Sequence, residues 1–440
     1  MPMGDLSILM LITLTVLLLL GFPVALAIGA SAFFFGWLGA GLNLFSLLPL
    51  RVWGQMTNTT LVAVPLFVFM GILLERSGIA DEMLEALTRL FGPVRGGLAV
   101  SVILVGAVLA ASTGIVGGIM VTMGLIALPT MLRHKYSPEL ATGTICAAGT
   151  LGQLIPPSIV LIVLGDVMGI SVSDLFAAAF LPGIILVVLY VGYILVLGVV
   201  RPEKVPAAPL KEEGVTSRQV LWRSVKSILP AGALIVGVLG SIFFGIATPT
   251  ESAAVGALAS LGLCALYGRL NRKVLVSVME GTMRLTSMVF LVVIGASAFG
   301  LVFVGMGGRE IVSDWLLSMP GGPSGFILSS MVIIFLLGIF FEFLEISLIA
   351  VPLLVPVAQH LGIDMVWYAT LIAMNLQTAF LSPPVGASLF FLRGVSPPGV
   401  TMGHIFRGVI PFMVLQLIGV ALLIIFPQLA LWLPSLGQGK

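Results

Sequence analysis

One stretch of the chain is apolar enough for a lipid bilayer, yet its middle carries residues that stop a helix. It runs from Cys146 to Asp166 and reads CAAGTLGQLIPPSIVLIVLGD. Pro157 has no N–H to donate, and a proline biases the residue before it away from the α-helical region. We therefore expect one helix to end near Gln153 and another to begin near Pro157. Backbone groups freed at membrane depth are tolerated only where protein or a wet cavity covers them, so this break is a candidate binding site.

The same interruption occurs a second time. Met374 to Arg393 reads MNLQTAFLSPPVGASLFFLR, again with a diproline in its middle. In both copies an earlier proline precedes the second proline of the pair by the same spacing, 28 residues: Pro129 precedes Pro157, and Pro356 precedes Pro384. Proline-interrupted apolar segments at matching places in two halves indicate the binding site of a secondary transporter. The alternative is that the prolines only kink helices.

Composition places the chain in the membrane. Hydrophobic residues make up 59% of it and charged residues only 9%, whereas a soluble domain carries about a quarter charged residues. We therefore predict an all-α polytopic membrane protein. The net charge of +2 gives no indication of a nucleic-acid partner. Cys146 and Cys264 both lie in apolar segments, so a disulfide framework is not expected.

The predicted organisation is two related halves, 1–205 and 227–440, joined by a polar cytoplasmic linker, 206–226. Each half contains scaffold helices, a hairpin, one broken helix and a final long helix. In the first half these are predicted at 6–74, 98–132, 139–166 and 175–200. In the second half they are predicted at 227–304, 325–357, 365–393 and 405–433.

Positive charge decides how the ambiguous segments 98–132 and 325–357 are interpreted, because each fits either two spans or one re-entrant hairpin. With both as hairpins, each half has five spans, and 17 of the 20 Lys and Arg residues fall on one face. The other face has Arg51, Arg309 and Lys440. Basic loops favour the cytoplasm, so both termini are expected outside. Five spans is an odd number, so the second half is predicted to be inverted relative to the first.

The first hairpin tip offers hard oxygen ligands. It reads AASTGIVGGIM and contains the candidate residues Ser112, Thr113 and Gly114. Hard oxygen donors suit alkali cations better than zinc, so we expect a sodium site where this tip meets the first break. The candidates in that break are Gly152, Gln153, Pro156, Pro157 and Ser158. The alternative is that the hydroxyls only satisfy their own helix backbone.

The second hairpin tip, IFFEFLEISL, contains Glu342 and Glu345. Ionisable residues inside a membrane segment are functional candidates by default. These two could bind a cation, take a proton or brace the hairpin against an arginine. The second break adds Asn375, Gln377, Thr378, Ser382, Pro383, Pro384 and Gly386. Taken together, the candidate sodium ligands are Ser112, Thr113, Ser158, Glu342 and Ser382.

A helix-capping pattern and the absence of enzyme motifs narrow the range of possible functional sites. Thr248-Pro249-Thr250-Glu251 has the form of a helix capping box, with Thr248 as N-cap and Glu251 at the third helical position. Capping accounts for these residues, although ligand binding is the alternative. The chain has no HExxH, P-loop or GxSxG motif, so we expect no enzyme activity and no cofactor beyond the coupling ion.

Five pieces of the chain resemble the large membrane subunit of tripartite ATP-independent periplasmic (TRAP) transporters. They are GTLGQLIPPSIVLIVLG (149–165), DLFAAAFLPGIIL (174–186), GIATPTESAAVGA (245–257), GIFFEFLEISLIAVPLLVP (338–356) and LSPPVGASLFFLRG (381–394). They span most of the chain in the family's order. The family motif usually has Asp or Glu at the position of Glu342. The presence of Glu345 resembles the branch of the family that is associated with mannitol or chloroaromatic compounds.

The resemblance implies sodium-driven import of an organic acid, such as a C4-dicarboxylate or a 2-oxoacid, across the bacterial inner membrane. It also implies a periplasmic binding protein and a small four-helix membrane subunit as partners, and an elevator-type movement. Two alternatives stay open at this point. One is a stand-alone sodium/divalent-anion symporter that needs no binding protein. The other is an assembly or docking subunit without a transport path of its own.

Overall fold

The computed structural model describes residues 3–39, 41–113, 116–207 and 217–437, and within these ranges the chain is helical and contains no strand. The α-helices, in chain order, are α1 (Met3–Leu19), α2 (Val24–Gly39), α3 (Leu48–Met56), α4 (Ala63–Arg76), α5 (Ile79–Phe91), α6 (Gly97–Thr113), α7 (Val116–Arg133), α8 (Pro138–Thr150), α9 (Ile159–Met168), α10 (Val172–Val200), α11 (Ser217–Phe243), α12 (Pro249–Leu266), α13 (Arg272–Gly305), α14 (Gly308–Leu317), α15 (Gly322–Phe340), α16 (Phe343–Glu345), α17 (Val351–His360), α18 (Met365–Phe380), α19 (Ala387–Val395), α20 (Met402–Ile425) and α21 (Gln428–Gly437). Short 3-10 helices cover Leu42–Leu47 and Leu151–Gln153, and a π-helical turn covers Ile346–Ala350.

Several of these helices can cross a membrane. In the part of the chain that the structure describes, eight helices are long and apolar enough to do so, or nine if the bent pair of α4 and α5 counts as one span. The eight include one arm of the first hairpin, Val116–Arg133, and both arms of the second, Gly322–Phe340 and Phe343–His360. The protein is therefore a multi-pass membrane protein. Length and composition do not show whether each hairpin crosses the membrane as two spans or enters and leaves it on one side. The re-entrant form of the hairpins and the orientation of the protein in the membrane therefore stay predictions.

Helix starts follow local sequence signals. The capping box predicted at Thr248 is confirmed, because its hydroxyl accepts from the Glu251 backbone N–H and the Glu251 carboxylate accepts from the Thr248 N–H at 2.8 Å. Side-chain caps also begin the first part of each broken helix and the long helix that follows it. These caps are Ser137 for α8, Ser171 for α10, Asp364 for α18 and Thr401 for α20.

The same order of elements occurs in both parts of the chain. A short amphipathic helix, α5 or α14, follows a glycine in the left-handed region, Gly78 (φ 72°) or Gly307 (φ 78°). A hairpin comes next, formed by α6 and α7 or by α15 to α17. A broken helix then follows, α8–α9 or α18–α19, and a long helix, α10 or α20. Inversion between the halves stays a prediction.

At the centre of the molecule, the broken helix of each half packs against elements of the other half. Helix α9 lies against α17 and the π-helical turn of the second hairpin, while α19 lies against α7 of the first hairpin. Helix α8 packs on α20, and α18 packs on α10 and α20. Each broken helix is therefore held by elements of the other half, which brings both breaks and both hairpins into one central body.

Candidate functional site

The first break, residues 151–158, is sealed inside the protein. Helix α8 ends at Thr150, one 3-10 turn reaches Gln153, and α9 begins at Ile159 with Ser158 as N-cap. The predicted helix stop near Gln153 and restart near Pro157 are therefore correct to within about two residues. Every residue of this break is buried, including Pro156 and Pro157. The Ser158 hydroxyl donates to the Gln153 carbonyl at 2.8 Å, so it satisfies backbone freed by the break.

An unpaired amide lies within this sealed segment. Both polar atoms of the Gln153 side chain are buried and have no hydrogen-bond partner among the described residues. A buried amide without partners costs free energy unless a water, an ion or a ligand satisfies it. The first hairpin covers this place, because a Cβ added at Gly152 would lie 3.3 Å from Ile119 Cδ1 and 3.6 Å from Ala110 Cα.

The predicted sodium ligands of the first hairpin tip lie at or beyond the end of a described range. Gly114 lies outside the described residues, and so do the side chains of Ser112 and Thr113. Their sodium role stays a prediction. The neighbouring positions Ala110 and Ile119 do place the end of this hairpin beside the first break, where the tip was expected to meet it.

The second break, residues 381–386, is more open. Helix α18 ends at Phe380 and α19 begins at Ala387. Ser382 and Gly386 are buried, Pro383 is half-buried, and Pro384 is exposed. The Ser382 hydroxyl donates to the Thr378 carbonyl at 2.8 Å.

Ser388, which was not among the residues predicted for this break, and Gly386, which was, also shape it. Ser388 donates across the break to the Phe380 carbonyl at 2.7 Å. Gly386 permits a close backbone approach, since a Cβ there would lie 2.7 Å from the Ser382 carbonyl oxygen.

Asn375, Gln377 and Thr378 serve the packing of α18 before the break. The Asn375 amide donates to the Met331 carbonyl of the second hairpin at 2.7 Å, and the Thr378 hydroxyl donates to Met374 at 3.1 Å. Gln377 donates to the Thr150 hydroxyl on α8 at 3.5 Å. The structure therefore places Asn375 and Gln377 in buried contacts between helices.

The contact between the two broken helices has members that sequence reasoning missed. Gln416 on α20 also donates to the Thr150 hydroxyl, at 3.4 Å, and the Tyr190 hydroxyl of α10 is buried beside the Gln377 and Gln416 amides. The available signal was a glutamine in an otherwise apolar helix, because amides there hydrogen-bond across helices. Thr150 carried no such signal.

The two glutamates of the second hairpin tip point to different places. Helix α15 ends at Phe340, and Glu342 is the N-cap of the short helix α16. Glu342 is half-buried and lines a central cavity. Glu345 is 5% exposed and lines a separate apolar pocket. Neither forms an ion pair with a described side chain, so bracing by an arginine finds no support within the described ranges.

The central cavity has a volume of about 660 Å³ and lies between α4 and α13 on one side and the hairpins and breaks on the other. Gly117 and Gly118 of the first hairpin line it, as do Glu342, Ile159 at the start of α9, and Phe391 on α19. Most of its wall is apolar. The cavity therefore joins elements of both halves, and among the described candidate residues Glu342 alone lines it.

Charged residues on α4 and α13 complete this cavity and were not predicted as site residues. They are Glu75, Arg76, Glu280 and Arg284. Arg76 and Arg284 were expected only among the 17 basic residues of the cytoplasmic face, because which helices face the cavity depends on long-range packing. Neither arginine forms an ion pair with another described side chain. Glu75 accepts a hydrogen bond from the Thr122 hydroxyl of the first hairpin at 2.7 Å, so it already has a partner.

A polar pocket lies beside the second hairpin. It has a volume of about 430 Å³ and is lined by Arg51 on α3, Arg309 on α14, Asp166 on α9 and Pro356 on α17. Two of the three basic residues that were predicted on the outer face therefore line one pocket. Cavity and pocket each present two guanidinium groups, which are suited to binding a carboxylate.

Comparison with known proteins gives a consistent result. The family model described as the DctM component of tripartite ATP-independent periplasmic transporters matches residues 11–429. The C4-dicarboxylate TRAP transporter large permease protein DctM of Pseudomonas aeruginosa is 30% identical, over 88% of this chain and 89% of that protein. The sialic acid TRAP transporter large permease protein SiaM of Vibrio cholerae is 30% identical, over 88% of each chain. These relatives are permeases rather than enzymes.

The fold has a counterpart among solved structures. The crystal structure of the YdaH transporter of Alcanivorax borkumensis, described as having an unusual topology, aligns with a TM-score of 0.63 over 98% of both chains. Sequence identity in this alignment is 17%, so the likeness concerns the fold alone. It supports the all-helical fold described above.

Proposed function

The chain belongs to the DctM family of TRAP transporters and is a large permease subunit, and from this premise we propose that it imports an organic acid together with sodium. The substrate is delivered by a periplasmic binding protein, and the membrane is the bacterial inner membrane. A small four-helix membrane subunit is the second partner. The named relatives take a C4-dicarboxylate and sialic acid, both carboxylates, and carboxylate recognition is what we carry over to this chain.

The observation that carries the proposal is the central cavity. Arg76 and Arg284 line it from α4 and α13, and neither has an ionic partner within the described ranges. A guanidinium group binds a carboxylate through two parallel hydrogen bonds, which gives both affinity and orientation. Phe380 and Phe391 offer apolar surface to the rest of the substrate. The site therefore suits an anion with an organic body.

Sodium binding is proposed at the two breaks. The hydroxyls of Ser158 and Ser382 donate their hydrogens to backbone carbonyls, so their oxygen lone pairs stay free for a cation. Oxygen ligands of this kind suit sodium. The half-buried carboxylate of Glu342, next to the cavity, would offset part of the cation's charge. Ser112 and Thr113 remain candidates at the first break.

An elevator-type movement is part of the proposal, and the set of elements that line the cavity supports it. We propose that α4 and α13 belong to the static scaffold and that the hairpins and broken helices move. Arg76 and Arg284 line the cavity, and we predict from the positive-inside rule that both lie on the cytoplasmic face. We therefore infer an inward-facing conformation with both termini periplasmic. The hydrogen bond from Thr122 to Glu75 then joins the moving part to the scaffold in this state.

The test is sodium-driven uptake in proteoliposomes that contain all three subunits, with Arg284→Gln as the key variant. Loss of a charge-assisted hydrogen bond costs about 2 kcal/mol, so the KM for the organic acid should rise roughly thirtyfold. Arg272→Gln is the matched control, because Arg272 is exposed at the start of the same helix and does not line the cavity. Its KM should stay at the wild-type value.

Two outcomes of this experiment would contradict the proposal. Equal uptake with and without the binding protein would identify a stand-alone symporter. Absence of substrate-dependent sodium uptake with all subunits present would identify a docking or assembly subunit. The substrate for these assays is found by a ligand screen of the partner binding protein.

A further inference from the structure

The polar pocket beside the second hairpin contains two guanidinium groups without a partner. Arg51 lines it from α3 and Arg309 from the start of α14. Neither side chain forms a hydrogen bond or an ion pair with a residue in the described ranges. Arg309 lies in the first turn of its helix, where the helix dipole disfavours a cation. A negatively charged ligand therefore explains its position better than helix stability does.

The same pocket also contains hydrogen-bond acceptors with free capacity. The Asp166 carboxylate, near the end of α9, is half-buried and accepts a hydrogen bond from the Asn58 amide. The Oε1 atom of Gln55 is buried and has no hydrogen-bond partner among the described residues. A buried acceptor without a donor costs free energy unless a ligand or a water donates to it. The pocket thus combines two free cations with two acceptors, and positive charge is in excess.

The rest of the wall suits the apolar body of a small molecule. Phe299 and Phe303 of α13, whose stacked rings have centroids 6.0 Å apart, line the pocket together with Pro352 and Pro356 of α17. The volume of about 430 Å³ lies within the usual range for small-molecule sites. Two guanidinium groups, two acceptors and apolar surface are complementary to an organic acid that also carries a hydroxyl or an ammonium group.

The pocket lies on the same helix as the central cavity, further along its axis. On α13, Val289 lines the cavity and Val293 lines the pocket, and four residues span about 6 Å of a helix. The second hairpin packs on α13 at the same level. Its residues 343–344 line the cavity, and its residues 348–349 line the pocket. Cavity and pocket are therefore adjacent compartments, and the tip of the second hairpin borders both.

We propose that this pocket is a second binding site for the transported organic acid, which occupies it before reaching the central cavity. Arg51 and Arg309 bind the carboxylate, and Asp166 and Gln55 accept hydrogen bonds from a hydroxyl or ammonium group of the same molecule. The proposal rests on the proposed transport function and narrows the substrate class to acids that carry such a donor. Both arginines belong to the predicted outer face, where acid released by the binding protein arrives first.

Protection of a cysteine from labelling measures occupancy of the pocket without transport. Ser297→Cys places a thiol in the pocket wall on α13, in a background without Cys146 and Cys264. The purified complex of the large and small membrane subunits is held in phosphatidylcholine nanodiscs. It is labelled with a small uncharged maleimide, because an anionic reagent would itself bind the arginines. L-malate is the probe, since it is a small acid with one hydroxyl group. Labelling requires the empty pocket, so malate at about ten times its Kd should slow labelling roughly tenfold.

Two comparisons assign the groups that bind malate. Arg309→Gln should raise the concentration for half-maximal protection roughly thirtyfold, as expected for loss of a charge-assisted hydrogen bond. Glu310→Gln is the matched control, because Glu310 is the next residue of α14, is exposed and does not line the pocket. It should stay close to wild type, since solvent screens an exposed charge. If Arg309→Gln fails to accumulate, Arg51→Gln is expected to show the same loss. Succinate, which lacks the hydroxyl, should protect roughly fivefold more weakly than L-malate.

Other occupants of the pocket give different results. Protection by the substrate-free binding protein but not by L-malate would make the pocket a docking contact and overturn the proposal. Slow labelling in nanodiscs that contain phosphatidylglycerol, with no response to malate in phosphatidylcholine, would assign the pocket to a lipid headgroup and also overturn it. Equal protection by succinate and L-malate would refute the role of Asp166 and Gln55.

The outcomes also separate this proposal from the transport proposal. Sodium-driven uptake in proteoliposomes, with no protection of Ser297→Cys by L-malate, would overturn the second site and leave the transport function intact. Protection that depends on Arg309, without any substrate-dependent sodium uptake, would support the binding site and overturn the transport function.

Discussion

The two breaks carry the same diproline in a buried apolar helix, yet one is closed and the other is open. In the first, every residue from 151 to 158 is buried. In the second, Pro384 and Val385 are exposed. The difference arises from their neighbours. The first hairpin covers Gly152, whereas the second break adjoins Phe391, which lines the central cavity.

Their backbone chemistry is nevertheless alike. In each break a serine hydroxyl, from Ser158 or Ser382, donates to a carbonyl at the end of the preceding helix, at 2.8 Å. The first break differs in holding the unpaired amide of Gln153. The comparison indicates that access distinguishes the two sites more than ligand chemistry does. A closed break suits retention of an ion, and an open break suits exchange with the cavity.

The largest expected effect is on access by solvent. We compare Val385→Cys with Ile155→Cys, at positions that are 36% and 8% exposed. In a background without the buried Cys146 and Cys264, a membrane-impermeant thiol reagent added to inside-out vesicles should label position 385 quickly. Position 155 reacts only after local opening. An opening cost of about 4 kcal/mol lowers the rate roughly a thousandfold.

Equal labelling of both cysteines would remove the distinction between a closed and an open break. Labelling of position 385 only from the periplasmic side would instead contradict the proposed inward-facing conformation. Denatured protein is the control, since both cysteines should react at similar rates once the chain is unfolded.

The second effect concerns backbone packing at the open break. Gly386→Ala places a methyl group 2.7 Å from the Ser382 carbonyl oxygen and 2.9 Å from that of Phe380, and neither is a flexible side chain. We expect a loss of about 3 kcal/mol in the free energy of unfolding and a corresponding loss of uptake. At the closed break, Gly152→Ala meets the end of Ile119 at 3.3 Å and should cost less than half as much.

Gly394→Ala, in α19 after the same break, is the control, because no atom lies within 4 Å of its added Cβ. It should match or slightly exceed wild-type stability, since alanine favours a helix interior over glycine. Equal stability of Gly386→Ala and Gly394→Ala against unfolding in detergent would show that the backbone of the break can shift to accommodate the added methyl group.

Local sequence signals predicted the breaks and caps, whereas long-range packing determined which residues meet at the site. A diproline stops a helix wherever it lies, so the ends near Gln153 and Pro157 follow from the chain alone. The capping box at Thr248 is equally local. The direction of Glu345, three residues after Glu342, depends on which helices pack against the hairpin. No pattern in the sequence brings Arg76 and Arg284, some two hundred residues apart, to one cavity.

The smallest expected effect is on the contact that joins the two broken helices before their breaks. Thr150 ends α8, and its hydroxyl accepts from Gln377 on α18 and Gln416 on α20 at 3.5 and 3.4 Å. Thr150→Val removes this acceptor and leaves two buried N–H groups without it. Because both hydrogen bonds are long, we expect a loss near the lower end of the usual range, about 1 kcal/mol.

Thr370→Val on α18 is the matched control for this contact. Its hydroxyl is also buried, but it donates to the carbonyl of Val366 in its own helix at 2.8 Å. A double-mutant cycle of Thr150→Val with Gln377→Leu isolates the contact between the halves, and it should give a coupling of about 0.5–1 kcal/mol in the free energy of unfolding. A coupling of zero would mean that the hydrogen bond from Gln377 to Thr150 does not link the two broken helices, so that this contact leaves the closed break and the open break free to change independently. Gln377 and Thr150 lie directly before the two breaks, so a measurable coupling would mean that the helices that carry them move together. A conformational change at Val385 would then also change the surroundings of Gln153.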